Sequence, residues 1–376
     1  MNRKKTLKTT GAMLLASVLA WAVGVGVGNI VIKAWDYEDS WVVRLEAVRL
    51  SPVQGESDEG WLLQSFDLLV TFLSGESAGD SGSITVEQLE ESHLKLSSGR
   101  SYILMADRFP DGFVQYSVTD RFRLPWVISF LLFSVLSVCI IAGWTGARAV
   151  MGLGISLLVL VKGFVPAVLA GYPPVPCAMV ALAVLSAVTI FLVVRRPHCR
   201  PVVFLGTMGG AVAAYTMGAS ANWLWQLTGL GSDGATLFAS TFPGYDMRGI
   251  FLASVMVGSI GAVLDVAISV TSAMAELADY DPSIPKPRLW KAGTSVGREI
   301  LGSMINTLIL AYFGTSLVMT MMMVNSEPSF AFLFNDPIVS QELVQSLAGT
   351  IGLLLTVPMT TLAGLWLMKI KTTDDL

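Results

Sequence analysis

Asp265 is the residue whose position most strongly suggests chemistry, because it lies inside the long apolar stretch of residues 249–277. A carboxylate near the centre of a bilayer costs roughly 2.5–3.5 kcal/mol on insertion scales, so an acid placed there is a functional hypothesis by default. Ser269 and Ser272 follow Asp265 at helical spacing and share a helix face with it. An acid and two hydroxyls on one face are suited to binding an ion, a proton or a polar solute.

A second group of polar side chains lies in the next apolar stretch. Glu299, Ser303 and Asn306 are four and three residues apart, a spacing that returns to the same side of a helix. Sequential helices are often neighbours, so we expect this face to meet the Asp265 face in a polar seam. Lys162, in an earlier apolar stretch, is a candidate counter-ion for Asp265.

These seven residues allow two interpretations. In the first, they line a path along which an ion or a proton is relayed. In the second, Asp265 is neutral or paired, and the hydroxyl and amide groups only join helices to one another. The sequence leaves both interpretations open.

The composition is that of a membrane protein. Of the 376 residues, 53% are hydrophobic and 14% are charged, whereas soluble domains carry about 25% charged residues. The net charge of -4 does not suggest a nucleic-acid partner. The three cysteines have no paired spacing, and the sequence contains no phosphate loop, no HExxH and no CxxC pattern. We therefore expect no enzyme, no cofactor and no metal site.

Long apolar runs predict an all-α polytopic bundle of about eight transmembrane helices. Residues 1–32 form either a transmembrane helix or a signal anchor, and a cleaved signal peptide is the alternative. The bundle proper occupies residues 124–376. The predicted spans are residues 11–32, 124–142, 149–171, 175–194, 201–224, 249–277, 299–324 and 343–368.

Residues 33–123 differ from the rest of the chain, because charges are frequent there and no run is long enough to span a bilayer. Five short stretches alternate in polarity or are rich in β-forming residues, and turn-rich breaks separate them. This pattern predicts a small all-β extracytoplasmic domain after the first helix, either a barrel or a sandwich. The predicted strands are residues 41–50, 66–73, 83–89, 102–105 and 113–118.

Small residues mark helix-packing surfaces. Ser254, Gly258 and Ala262 recur every fourth residue, and residues 206–210 read GTMGG. Gly24, Gly26 and Gly28 predict helix packing or a flexible helix end rather than a nucleotide loop, because no strand precedes them. The Gly- and Ser-rich break at residues 230–245 is either a mobile gate or a plain loop.

The distribution of Lys and Arg predicts the orientation in the membrane. Basic residues concentrate near the amino terminus, at residues 195–200, at residues 286–298 and in the tail, whereas the breaks at 171–175, 227–246 and 325–342 contain no Lys or Arg. Placing both termini in the cytoplasm puts every basic break on one side of the membrane. The β-rich region then lies outside.

Three segments together resemble the YibE/F family of multi-pass membrane proteins. They read GSIGAVLDVAISVTSAMAEL (258–277), KAGTSVGREI (291–300) and GSMINTLILAYFGTSL (302–317), and the likeness extends upstream through LTGLGSDGATLF (227–238). The resemblance implies a helical membrane protein with a small β domain near its start. It also implies that Asp265, Arg298, Glu299 and Asn306 are motif members, without assigning them roles.

The leading functional hypothesis is a transporter or permease-like protein of the cytoplasmic membrane that moves an ion, a proton or a polar solute past Asp265. The alternative is a non-transporting scaffold that presents residues 33–123 to an extracytoplasmic protein or ligand. The lipid bilayer is a partner in both hypotheses.

Overall fold

A computed structural model describes residues 3–35, 37, 39–56, 62–75, 77–89, 94–109, 114–325 and 329–367. The chain divides into two compact units, Met1–Ala147 and Arg148–Leu376. The first unit holds helix α1 (Arg3–Lys33), five β-strands and the beginning of helix α2 (Leu124–Val159). The second unit is helical.

The β-strands of the first unit form a closed barrel in the order β1-β2-β3-β5-β4. Every neighbouring pair is antiparallel except β3 and β5, which meet in parallel at Val86 and Tyr116. All five predicted strands are confirmed, and the alternative of a sandwich is wrong because β4 closes onto β1. Phe113, the first residue of the fifth predicted strand, lies outside the described residues. The strands are β1 (Ser40–Glu56), β2 (Leu62–Phe72), β3 (Ser81–Leu89), β4 (Ser101–Arg108) and β5 (Val114–Arg121).

The barrel has a hydrophobic core of its own. Side chains that alternate along the strands, such as Val43 and Leu45 of β1, point inward and are fully buried. Tyr102 of β4 is buried among them, and its hydroxyl accepts from the Ser97 backbone N–H at 3.0 Å. The same hydroxyl donates to the Lys95 carbonyl at 3.2 Å, so the one polar atom of this large core residue is satisfied.

Two glycines of α1 allow close contact with the start of α2. A side chain at Gly24 would overlap Ser129, and one at Gly28 would overlap Pro125. At Gly26 the space is open. The prediction of helix packing is therefore supported at two of the three glycines.

The second unit continues α2 through a π-helical turn (Leu160–Phe164) and then contains a further series of helices. Local sequence explains several helix ends: Asp246 accepts from the Gly249 N–H at 2.9 Å at the start of α7, and Ser232 accepts from the Ala235 N–H at 3.1 Å at the start of α6. The helices are α3 (Val165–Leu169), α4 (Pro174–Val193), α5 (Arg200–Trp225), α6 (Asp233–Thr241), α7 (Met247–Tyr280), α8 (Lys286–Thr315), α9 (Leu317–Asn325), α10 (Phe330–Asn335) and α11 (Pro337–Leu367).

Helices α5, α7 and α11 pack against one another at the centre of this unit, with α4 and α8 on the outside. Close approach of α5 to α11 depends on glycine: a side chain at Gly206 would overlap Thr360, and one at Gly210 would overlap Thr356. The prediction of close packing for the GTMGG segment is confirmed. α6 occupies most of the break at residues 230–245, so the prediction of a plain loop is wrong there, and a mobile gate stays a prediction.

In the part of the chain that the structure describes, six helical segments are long and apolar enough to cross a membrane: Gly11–Lys33, Leu124–Leu169, Pro174–Val193, Pro197–Trp225, Met247–Tyr280 and Pro337–Leu367. The predicted spans 124–142 and 149–171 fall in one 46-residue segment, inside which Gly143 leaves the helical conformation with φ 58° and ψ -138°. The predicted span 299–324 falls on the later part of α8, which begins at Lys286, and on α9, with a turn at Ser316 between the two helices. Helix α8 is not among these six segments because it contains many polar residues.

Candidate functional site

Helix α7 is covered by neighbouring helices on every side except one narrow stripe. Its exposed positions between the two ends are Gly258, Gly261, Asp265, Ser272, Glu276 and Asp279. We call Gly258, Gly261, Asp265, Ser269, Ser272 and Glu276 the polar stripe. The half-buried Ala262 and Ile268 flank it, but no large aliphatic side chain of α7 is exposed between its two ends. Such a surface is unlike the outer face of a helix that contacts lipid.

Asp265 lies at the middle of the polar stripe. Its neighbours Leu264 and Val266 are buried in the helix core, whereas the Asp265 side chain is exposed. Within the part of the chain that the structure describes, this carboxylate makes neither a hydrogen bond nor an ion pair. Gly261, one turn earlier, leaves the space beside it open. Ser269 is half-buried and Ser272 is exposed, so the three predicted residues do share one face.

The predicted seam between α7 and α8 is not formed. Leu289, Gly293, Gly297 and Leu301 are the buried residues of α8, and they recur every fourth position. A side chain at Gly297 would overlap Val357 of α11, so these glycines fix how α8 is rotated against the bundle.

As a result, Glu299, Ser303 and Asn306 share a face of α8, but this face is exposed rather than turned towards the bundle. The Ser303 hydroxyl donates to the Ile300 carbonyl of its own helix at 3.0 Å. Among the described residues, no hydrogen bond or ion pair connects this face to Asp265.

Lys162 is exposed in the π-helical turn and does not pair with Asp265. The neighbouring Leu160 packs against the cluster that contains Met256 and Ile260 of α7. Met256 precedes Asp265 by nine residues, which at 100° per residue places it on the opposite side of α7. The predicted pair of Lys162 with Asp265 is therefore not formed in the described residues.

The polar stripe ends at a small cavity that the sequence did not predict. At Gly258 a side chain would overlap the hydroxyl of Tyr312 from α8, and the amide of Gln345 from α11 lies beside it. Tyr312 and Glu342 line a cavity of about 230 Å³ whose other walls are mostly apolar. Gly258 and Asp265 are seven residues apart, about 10 Å along the axis of α7.

Sequence analysis also did not identify several polar residues of α11. Gln341 is buried, and its Oε1 accepts from the Gly231 N–H at 2.8 Å, which ties the α5–α6 connection to α11. Thr356 and Thr360 are fully buried against the glycines of α5. The sequence feature that could have identified these residues is the recurrence of small and hydroxyl residues every three to four positions along the last apolar run.

This arrangement places carboxylates in succession along one side of the bundle, with Glu342 near the Gly258 end and Asp265 and Glu276 on α7. It suits stepwise contact with a hydrated cation, a proton or a polar solute. No group of three His, Cys, Asp or Glu residues close enough to hold a metal ion occurs among the described residues.

Residues 293–297 read GTSVG and match the GxSxG pattern of nucleophile elbows. That motif requires a sharp turn between a strand and a helix. Here the five residues lie inside the continuous helix α8, and Ser295 is simply exposed on its surface. The match has no geometric support as a nucleophile.

Comparison with known proteins gives one family. The family model described as YibE/F-like protein matches residues 130–370, which is about two thirds of the chain. The matched range includes α4 to α11 and excludes the barrel. No curated protein and no solved structure matches.

Proposed function

This chain belongs to the YibE/F-like family, and we propose that it is a transporter or permease-like protein that moves an ion, a proton or a polar solute past Asp265. The observation that carries the proposal is the polar stripe of α7, on which an unpaired carboxylate is exposed. Hydrocarbon cannot solvate such a group, so the stripe must border water or another protein surface. A water-lined path explains why an unpaired carboxylate is exposed on this otherwise apolar helix.

The small cavity lies at one end of this path. Tyr312, which lines the cavity together with Glu342, places its hydroxyl against Gly258, the first residue of the stripe. A solute that enters there meets Asp265 about two helical turns farther on and Ser272 and Glu276 beyond it. The spacing supports movement in steps between polar groups rather than tight binding at one place.

The proposal includes a topology. Eight crossings, with both termini in the cytoplasm, place every basic connection on the inner side of the cytoplasmic membrane and the barrel on the outer side. Eight crossings require the 46-residue segment Leu124–Leu169 to cross twice, with its break at Gly143, and α8 with α9 to cross once. At 1.5 Å per residue, 46 residues correspond to about 70 Å of helix in total, more than twice the hydrocarbon thickness.

The test is flux through the purified full chain in proteoliposomes. A trapped pH dye reports proton entry under an imposed potential, with sodium, potassium or magnesium added singly, and a swelling assay reports polar solutes. Asp265→Asn removes the charge at nearly constant size and is expected to lower the active flux at least about tenfold, because a neutral amide neither carries a proton nor attracts a cation.

The matched control is Asp107→Asn, the same substitution at an exposed position of the barrel strand β4. It is expected to leave flux unchanged. Flux that is equal in wild type and Asp265→Asn would discard the coupling role of Asp265. A chain that moves none of these probes above the level of empty liposomes would count against transport itself.

The second candidate function is a scaffold that presents the barrel to an extracytoplasmic partner. The observation that favours it is that the barrel is closed and buries its own core, as an independent binding module does. If the protein is a scaffold, an Asp265→Leu variant that still folds is expected to keep its cellular function. Cross-linking from the barrel of the full chain is then expected to capture one partner reproducibly. Transport predicts that Asp265→Leu abolishes function.

A further inference from the structure

A large cavity lies within the first unit, where the end of α1, the rim of the barrel and the start of α2 come together. Its volume is about 1260 Å³. This is large enough for the headgroup of a lipid together with the first part of its acyl chains, since typical ligand pockets measure about 300–1,000 Å³.

The cavity is strongly basic. Among the described residues it is lined by five cationic side chains and by no acidic one: Lys33, Arg44, Arg100, Arg121 and Arg123. Arg123 forms an ion pair with Asp120, which lies outside the lining. The side chains of Lys33, Arg44 and Arg100 make no hydrogen bond or ion pair in the described part of the chain. Cations that converge without counter-ions favour an anionic ligand.

Arg121 is held in place and retains a free donor. Its Nη2 donates to the Lys95 carbonyl at 2.9 Å, and its guanidinium lies 6.0 Å from the centre of the Tyr102 ring. Its Nε is buried and has no hydrogen-bond partner. Buried N–H groups are nearly always paired, so this one indicates a missing acceptor.

The opposite wall of the cavity is apolar and aromatic. Trp21 of α1 and Trp126 and Phe130 of α2 line it, and their side chains are 53%, 68% and 74% exposed. Tryptophan is enriched at the interface between membrane and water, and both helices here are apolar enough to cross a membrane. A basic side and an aromatic side therefore face the same space at the end of two membrane helices.

We propose that this cavity binds an anionic phospholipid, whose phosphate is held by Arg44, Arg100 and Arg121 and whose acyl chains lie along Trp21, Trp126 and Phe130. Arginine binds phosphate oxygens through several parallel N–H donors. Basic pockets beside membrane helices are a known mode of lipid headgroup recognition. A soluble anion would satisfy the arginines but would leave the aromatic wall exposed to water.

The test uses the delipidated full chain in detergent and native mass spectrometry. Phosphatidylglycerol and phosphatidylcholine with the same acyl chains are added separately. Phosphatidylglycerol is expected to bind at least about tenfold more tightly than phosphatidylcholine, and Arg44→Gln with Arg100→Gln is expected to remove about tenfold of that affinity.

Two matched double variants complete the test. Arg49→Gln with Arg108→Gln removes two charges from the same barrel outside the cavity and is expected to leave lipid binding unchanged. Arg44→Lys with Arg100→Lys keeps the charge but loses the parallel N–H donors, so it is expected to bind phosphatidylglycerol more tightly than the glutamine pair and less tightly than wild type, which separates loss of charge from misfolding. Equal retention of the two lipids would overturn the proposal, as would equal effects of the two glutamine pairs. Displacement of phosphatidylglycerol by equimolar inorganic phosphate would also overturn it, by identifying a small-anion site.

Discussion

At the scale of single residues, what matters is whether water reaches the polar stripe of α7. A charged, membrane-impermeant thiol reagent reacts only with an ionised thiolate that it can reach through water. Because the proposed path brings water to the stripe, we expect cysteines placed at Asp265 and Ser272 to react with it. Val180→Cys is the matched control, since Val180 is 66% exposed on the apolar helix α4. Labelling is measured by mass shift in a background from which Cys139, Cys177 and Cys199 have been removed.

Comparing the labelling of the two stripe positions with that of Val180 shows whether water reaches the polar stripe. A path predicts labelling at both stripe positions and none at Val180. If all three positions are protected, the stripe is covered by another protein surface, such as a second copy of the chain, and the water-lined path is rejected.

Single residues also show how far sequence reasoning reaches. Asp265, Ser269 and Ser272 were found because one acid in an apolar run is visible without knowing any neighbour, and the shared face follows from helical spacing alone. Tyr312 and Glu342 were not found, because each looks ordinary on its own helix. They become relevant only through α8 and α11 meeting at Gly258. The pair expected between Lys162 and Asp265 depends in the same way on how two distant helices pack, which one sequence does not reveal.

At the scale of helices and strands, glycines set the distances between α5 and α11. A methyl group at Gly210 would overlap Thr356, lie 2.7 Å from Val263 Cγ1 and lie 3.1 Å from the Gly352 carbonyl oxygen. The backbone of α11 cannot move as a side chain can, so we expect Gly210→Ala to destabilise the bundle by about 1–3 kcal/mol. The measurement is the midpoint of thermal unfolding in detergent, followed by size-exclusion chromatography.

Gly302→Ala on α8 is the control for that substitution. Nothing lies within 4 Å of the added methyl group there. Alanine favours helix over glycine by about 1 kcal/mol, so the midpoint is expected to stay the same or to rise. If both substitutions lower the midpoint equally, the close contact of α5 with α11 is not what limits stability.

Secondary structure was the part of the fold most accessible to sequence. The five strands were located because alternation and turn residues act locally, and the apolar runs located the long helices. The rotation of α8 was not accessible, because it depends on Gly293 and Gly297 fitting Thr361 and Val357 of a helix some sixty residues away. The expected seam failed for this reason, although its residues do lie on one face.

At the scale of the whole molecule, the positions of Lys and Arg favour the proposed eight crossings over six. If only the six apolar segments crossed, residues 195–200 and 281–291 would both lie outside, although they carry Arg195, Arg196, Arg200, Lys286, Arg288 and Lys291. Positive residues in short connections are retained in the cytoplasm. Eight crossings remove the conflict, because the extra crossing before α4 reverses the side of both connections.

Two cysteine positions distinguish eight crossings from six in intact cells. Ser283, between α7 and α8, is exposed and lies inside the cell with eight crossings and outside with six. We therefore expect an impermeant maleimide to label Ser283→Cys only after permeabilisation, in the background without native cysteines. Ser98→Cys, on an exposed turn of the barrel, is outside in both schemes and should be labelled at once. Labelling of Ser283→Cys in sealed cells would mean that α2 to α3 crosses once, and the proposed path along α7 would then run in the opposite direction.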